Sequence, residues 1–74
     1  MEKIYIAYLE ADAENRAYPG KVEEFSNLET AMVTARINER GDGSENTFIV
    51  FDHGKSVYES PMVSEYYINM EDYV

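Results

Sequence analysis

The sequence predicts an α+β fold in which a single helix packs on a small, mainly antiparallel sheet, in the order β-(β)-α-β-β-(β). Three observations carry this expectation. Residues 3–9 and 47–51 are dense in β-branched and aromatic side chains. Between them, Leu28, Ala31, Met32 and Ala35 recur at helical spacing. After them, Asp52-His53-Gly54-Lys55 separates two extended runs in the manner of a hairpin turn. One amphipathic helix and one sheet can each bury an apolar face on the other, which is why this order favours a layered packing.

The first strand is expected over 3–9, with Ile4, Ile6 and Tyr8 on one face and Tyr5, Ala7 and Leu9 on the other. Apolar groups on both faces mark a central strand. From Glu10 to Glu24 the chain turns polar, and Pro19-Gly20 reads as a turn because Pro presets φ and Gly accepts positive φ. This segment is expected to be a loop, or the return of a long hairpin whose second strand covers 21–25.

Ser26-Asn27-Leu28-Glu29 matches a capping box, with Ser26 as N-cap and Glu29 reaching back to it. The helix is expected from Asn27 to Arg40 and to stop at Gly41, with Arg36 and Arg40 in the last turns, where cations suit the helix dipole. Its inward face is Leu28, Ala31, Met32 and Ala35. Val33 and Ile37 fall roughly opposite and form a second apolar patch that something must cover.

After a polar loop at 41–46, residues 47–51 form the strongest strand of the chain, paired through the His53-Gly54 turn with 56–59. Pro61 interrupts the ladder. In the tail, Tyr66, Ile68 and Met70 alternate as in a strand, while Tyr66, Met70 and Tyr73 also fit a helical face. The strand reading is preferred.

Composition sets the limits on function. At 74 residues the chain has room for one domain, 1–74. With no Cys, neither a disulfide nor a thiolate zinc site is available. The opening apolar run, Ile4 to Leu9, is too short for a membrane span or a secretory core, so a soluble, cytoplasmic chain is expected. Seven Tyr and three Phe in periodic segments argue for folding despite a net charge of −9.

His53 is the one histidine, which leaves no second imidazole for a relay or a two-His metal site. In the predicted turn it serves the backbone better than catalysis, and Asp52 beside it caps the same turn. Asp12, Glu14, Asp42 and Glu45 are spaced so that a cation could touch them, yet they supply neither the count nor the pattern of an EF-hand loop. No nucleophile elbow or phosphate loop is present. The expectation is a non-enzymatic chain with no cofactor and no metal.

The charge is more informative. With 15 Asp+Glu against 6 Lys+Arg, the surface repels nucleic acid and is attracted to basic proteins. Carboxylates interleaved with Tyr can occupy a groove built for a phosphate backbone, with Tyr supplying contact area. The candidate partner-binding residues are Glu59, Glu65, Tyr66, Tyr67, Glu71, Asp72 and Tyr73, with Glu10, Asp12 and Glu14 as a second acidic patch. Acidic surfaces also serve plain solubility, so a structural or homo-oligomerisation module stands as the alternative. There the Val33/Ile37 patch would pair two copies, unless the tail folds back over it through Met62, Val63 or Tyr66.

Residues 25–35, followed by Phe48-Ile49-Val50-Phe51-Asp52-His53-Gly54-Lys55-Ser56-Val57-Tyr58, resemble a pattern of small phage-encoded proteins. In these a capped helix with alanine spacing precedes a hairpin of the form apolar run, Asp-x-Gly-Lys, apolar run. The resemblance covers about half the chain and is shared by many small bacterial βαββ domains. It implies a phage accessory protein that binds and blocks a host factor, a class that includes anti-restriction and anti-CRISPR inhibitors.

Overall fold

The computed structural model describes residues 3–41, 43–69, 71 and 73. Its elements are β1 (Ile4–Ala11), β2 (Arg16–Phe25), α1 (Leu28–Arg40), β3 (Phe48–Asp52), β4 (Lys55–Glu59) and β5 (Tyr67–Ile68), with short 3-10 turns at Ser44–Asn46 and Pro61–Glu65. The strands form one sheet in the order β4-β3-β1-β2-β5, antiparallel throughout except for the parallel β2–β5 pair. The α+β expectation holds, and β1 is central, as its two apolar faces require.

Alternation along β1 and β3 sends side chains to both sides of the sheet. On one side Ile6, Tyr8, Phe48 and Val50 pack against Ala31 and Ala35 of α1, with Leu28 and Met32 closing the flanks. On the other side Tyr5, Ala7, Ile49 and Phe51 pack against Val63 and Tyr73. The sheet is therefore covered twice, by the helix and by the C-terminal segment. Tyr5 stacks on Phe51 with centroids 5.0 Å apart, and Phe51 on Tyr73 at 6.0 Å.

Several sequence expectations are corrected. The β1–β2 hairpin turns at 12–15, not at Pro19-Gly20. Asp12 Oδ1 accepts from the backbone N–H of Glu14 and Arg16 at 2.9 and 3.0 Å, and Asn15 takes φ 61°; these side-chain bonds hold the reversal without a Pro-Gly pair. Pro19 sits inside β2 opposite Leu9, whose own N–H bonds Thr47 O of the neighbouring segment at 3.0 Å, so no N–H is required from Pro19 there. The register slips by one between Ala7↔Val22 and Leu9↔Pro19, which sets both Gly20 and Lys21 opposite Tyr8. A second bulge leaves Val57 of β4 as the extra residue between Val50↔Tyr58 and Phe51↔Ser56.

The N-cap of α1 is Asn27 rather than Ser26: Asn27 Oδ1 accepts from Thr30 N at 2.8 Å with extended backbone at the cap. The His53-Gly54 turn is as expected, with φ 52° and 83°, the two positive values a type I′ hairpin needs.

The tail departs most. Among the described residues of the tail only Tyr67–Ile68 is strand, and it pairs with Arg16 and Ala17; Pro61, fixed at a helical φ, opens a 3-10 turn before it. Ser60 anchors that crossing, its N–H donating to Phe48 O and its Oγ accepting from Phe48 N, both at 3.0 Å. Val63 is buried on the sheet face opposite α1, so the tail does not cover Val33 and Ile37, which stay 49% and 65% exposed. Beyond Arg16 and Ala17, the outer side of β2 has no partner strand among the described residues.

Candidate acidic and aromatic docking site

The parallel β2–β5 pair brings Glu65, Tyr66 and Tyr67 of the first predicted patch to the second, whereas Glu59 lies on β4 at the opposite edge of the sheet. Tyr67 N donates to Asn15 O at 2.9 Å, setting Glu65, Tyr66 and Tyr67 beside the hairpin that carries Glu10, Asp12 and Glu14. Tyr67 is 74% exposed, and Glu10, Asp12, Glu14 and Glu65 are all at the surface.

The other candidates divide. Tyr66 is half-buried, Glu59 and Glu71 are exposed, and Asp72 lies outside the described residues, as do Asp42 and Met70. Tyr73 is 6% exposed and belongs to the core, so it is withdrawn from the binding set. Its peptide oxygen accepts from Tyr5 Oη at 2.5 Å, and its ring completes the Tyr5–Phe51 stack.

Two clefts flank the site. One, of about 410 Å³, is lined by Asp12, Arg16, Tyr18, Tyr67 and Asn69. The other, of about 330 Å³, is lined by Tyr8, Glu10, Lys21 and Glu45. Arg16 is held by Asp12 Oδ2 at 3.1 Å and Glu14 Oε2 at 3.0 Å, and Lys21 reaches Glu45 at 3.5 Å while its Nζ lies 5.6 Å from the Tyr8 ring centroid. The backbone N–H groups of Arg16 and Glu14, then the Arg16 guanidinium, hold the Asp12 carboxyl below its usual range. Arg16, Tyr18 and Lys21 were not among the sequence candidates. The signal for Tyr18 is its spacing of two from Arg16, visible once 16–25 is read as strand.

At the floor of the site, Tyr8 Oη donates to Glu23 Oε1 at 2.9 Å and accepts from Asn38 Nδ2 at 2.6 Å, tying the sheet to α1. Burial, then the Glu23 hydrogen bond and the charges of Glu23 and Glu45, push the Tyr8 phenol well above its ordinary 10.0, against a smaller opposing effect of Asn38. The hydrogen bond to Glu39 raises Tyr58, and burial raises Tyr5. Because the folded state holds these phenolic protons more tightly than the unfolded chain, their contribution to stability is complete below about pH 10 and drains away above it. Urea midpoints are therefore expected to fall steeply from about pH 10 upward, and the fall should shallow in Tyr8→Phe; a flat profile through tyrosine ionisation at 295 nm would contradict this.

His53 stands at the far end of the sheet, exposed, with Nδ1 against Asp52 Oδ1. Among the described residues no three His, Asp or Glu side chains converge as a metal-ligand set, and no helix is long and apolar enough to cross a membrane. Comparison with protein-family models, curated proteins and solved structures found no match to this chain.

Proposed function

We propose that the chain is a non-enzymatic binding module that inhibits a protein partner by occupying its basic, nucleic-acid-binding surface with the acidic and tyrosine-bearing end of the sheet. The observation that supports this most is the β2–β5 pairing, which sets Glu10, Asp12 and Glu14 beside Glu65 and the exposed Tyr67. Carboxylates on a rigid sheet end steer a cationic partner, and a Tyr ring supplies contact area at small entropy cost. The resemblance to phage accessory proteins would make that partner a bacterial host protein.

A photo-crosslinking amino acid at position 67, with a control at Glu29 on α1, tests the reading in bacterial lysate. A basic nucleic-acid-handling protein should be crosslinked from position 67 at about 50 mM salt, lost at about 500 mM as screening shortens the range of the field, and lost with Glu14→Lys and Glu65→Lys. Adducts of the chain with itself alone would favour a self-associating module instead.

A further inference from the structure

Going beyond the docking reading, we infer that the outer face of α1 is an interface for a second copy of this chain, the two helices packing antiparallel about a two-fold axis. The exposed residues of α1 are Glu29, Thr30, Val33, Arg36, Ile37 and Arg40. At 100° per residue they form one stripe directly opposite the buried Ala31 and Ala35. The middle of the stripe is apolar, and Val33 and Ile37 stay open because Val63 packs on the other face of the sheet.

The two ends of the stripe differ in charge. Glu29 stands in the first turn and Arg40 in the last, with Arg36 one turn before it. The helix dipole accounts for that placement of charge but not for the apolar pair between. Lys3, Arg16 and Lys21 each hold a carboxylate of their own chain, whereas Glu29, Arg36 and Arg40 enter no ion pair among the described residues. Arg36 and Arg40 are instead like charges at i, i+4, an arrangement that costs the helix a little when it stands alone.

A stripe that is acidic at one end, apolar in the middle and basic at the other end is complementary to its own copy turned end for end. Glu29 lies four residues before Val33, and Arg40 three after Ile37. One antiparallel crossing therefore sets Val33 against Ile37 and, to within a residue, Glu29 against Arg40, with each contact made twice. Parallel packing would oppose like charges. Approach of two copies is also least repulsive at this face: the chain carries 15 Asp+Glu to 6 Lys+Arg, but the stripe holds two cations to one anion.

The helix is about 20 Å long. One such stripe per copy stays below the roughly 1,200 Å² of a stable complex, so the dimer is a weak one that fills only at high micromolar concentration. The acidic docking residues lie on β1, on the turn after it and in the C-terminal segment, not on α1, so the two readings stand or fall separately.

The test is sedimentation equilibrium of the full chain alone, from about 10 µM to about 1 mM at about 50 mM salt. A reversible monomer–dimer equilibrium is expected. Ile37→Glu should remain monomeric while keeping its dispersed NMR spectrum, since the position is exposed. Glu29→Arg and Arg40→Glu should each weaken the dimer about tenfold, because the two-fold counts every change twice. Glu29→Arg makes the chain less acidic, so non-specific association would strengthen in that variant instead. An equimolar mixture of the two variants should form a heterodimer, and both changes in one chain should recover the wild-type equilibrium. A monomer at every concentration overturns the interface, as does a dimer indifferent to Ile37→Glu or to Glu29→Arg. Growth beyond the dimer also overturns it, because the occupant of α1 is then the acidic end of another copy in an open, head-to-tail array.

Discussion

Replacing Tyr73 by Ala is expected to remove about 3 kcal/mol of folding stability, on the order of half of what a chain this short possesses. The ring is almost wholly buried and is the outer member of the Tyr5–Phe51–Tyr73 stack, and the residue's own peptide oxygen holds the Tyr5 hydroxyl. Losing it opens a cavity against Phe51 and loosens the peptide that accepts from Tyr5, so an apolar and a polar penalty add. Urea denaturation at neutral pH measures the loss. Tyr67→Ala is the internal contrast, expected within about 0.5 kcal/mol of wild type because that ring stands in solvent. If the two variants were equally stable, the C-terminal layer would not be part of the core.

Ala35→Leu is the second large effect, expected to cost about 2 to 3 kcal/mol by overpacking. Ala35 is fully buried against a sheet face whose Ile6, Phe48 and Val50 are themselves without exposure, so no neighbour can swing away to admit an isobutyl group. The helix must lift instead. Lifting would part Asn38 from Tyr8 and Glu39 from Tyr58, the polar ties between α1 and the strands. The measurement is again the urea midpoint, read with the Asn38 side-chain amide resonances, which should shift. A loss below about 1 kcal/mol with those resonances in place would mean that the space between helix and sheet is wider than described.

The parts of the fold legible in the sequence are those whose cause is local. The alternation of 4–9 and 48–51, the alanine spacing of α1 and the Gly54 that admits positive φ each act within a few residues. Pro19-Gly20 misleads for the opposite reason. Locally the pair is a turn signal, but Pro19 is tolerated because of where Leu9 sends its N–H, and Gly20 is explained by the Glu10 stem above it. Both reasons lie across the ladder. Tyr67 and Tyr73 show the same limit, since alternation cannot tell which ring finds Phe51 and which meets water. The acidic end was legible in composition, but its assembly depends on a pair 51 residues apart in sequence, Arg16↔Tyr67.

The outer strands bear on how the protein behaves when concentrated. A sheet edge is a template for lateral growth, and among the described residues this sheet is open along β4 and along the part of β2 that the two-residue β5 leaves unpaired. On β4 the bulge at Val57 breaks the flat run of backbone groups, with Lys55 beside it. On β2, Pro19 contributes no donor, the Gly20-Lys21 bulge twists the strand, and the regular stretch that follows carries Glu23 and Glu24. Copies stacked there in cross-β fashion would repeat those carboxylates every 4.8 Å or so, a spacing at which like charges repel strongly. Resistance to fibril formation is thereby built into the edges themselves, partly in covalent geometry and partly in charge. Acid removes only the second part, so any fibrils the chain forms should nucleate on β2 at low pH, along 22–25, where proline and bulge offer no protection.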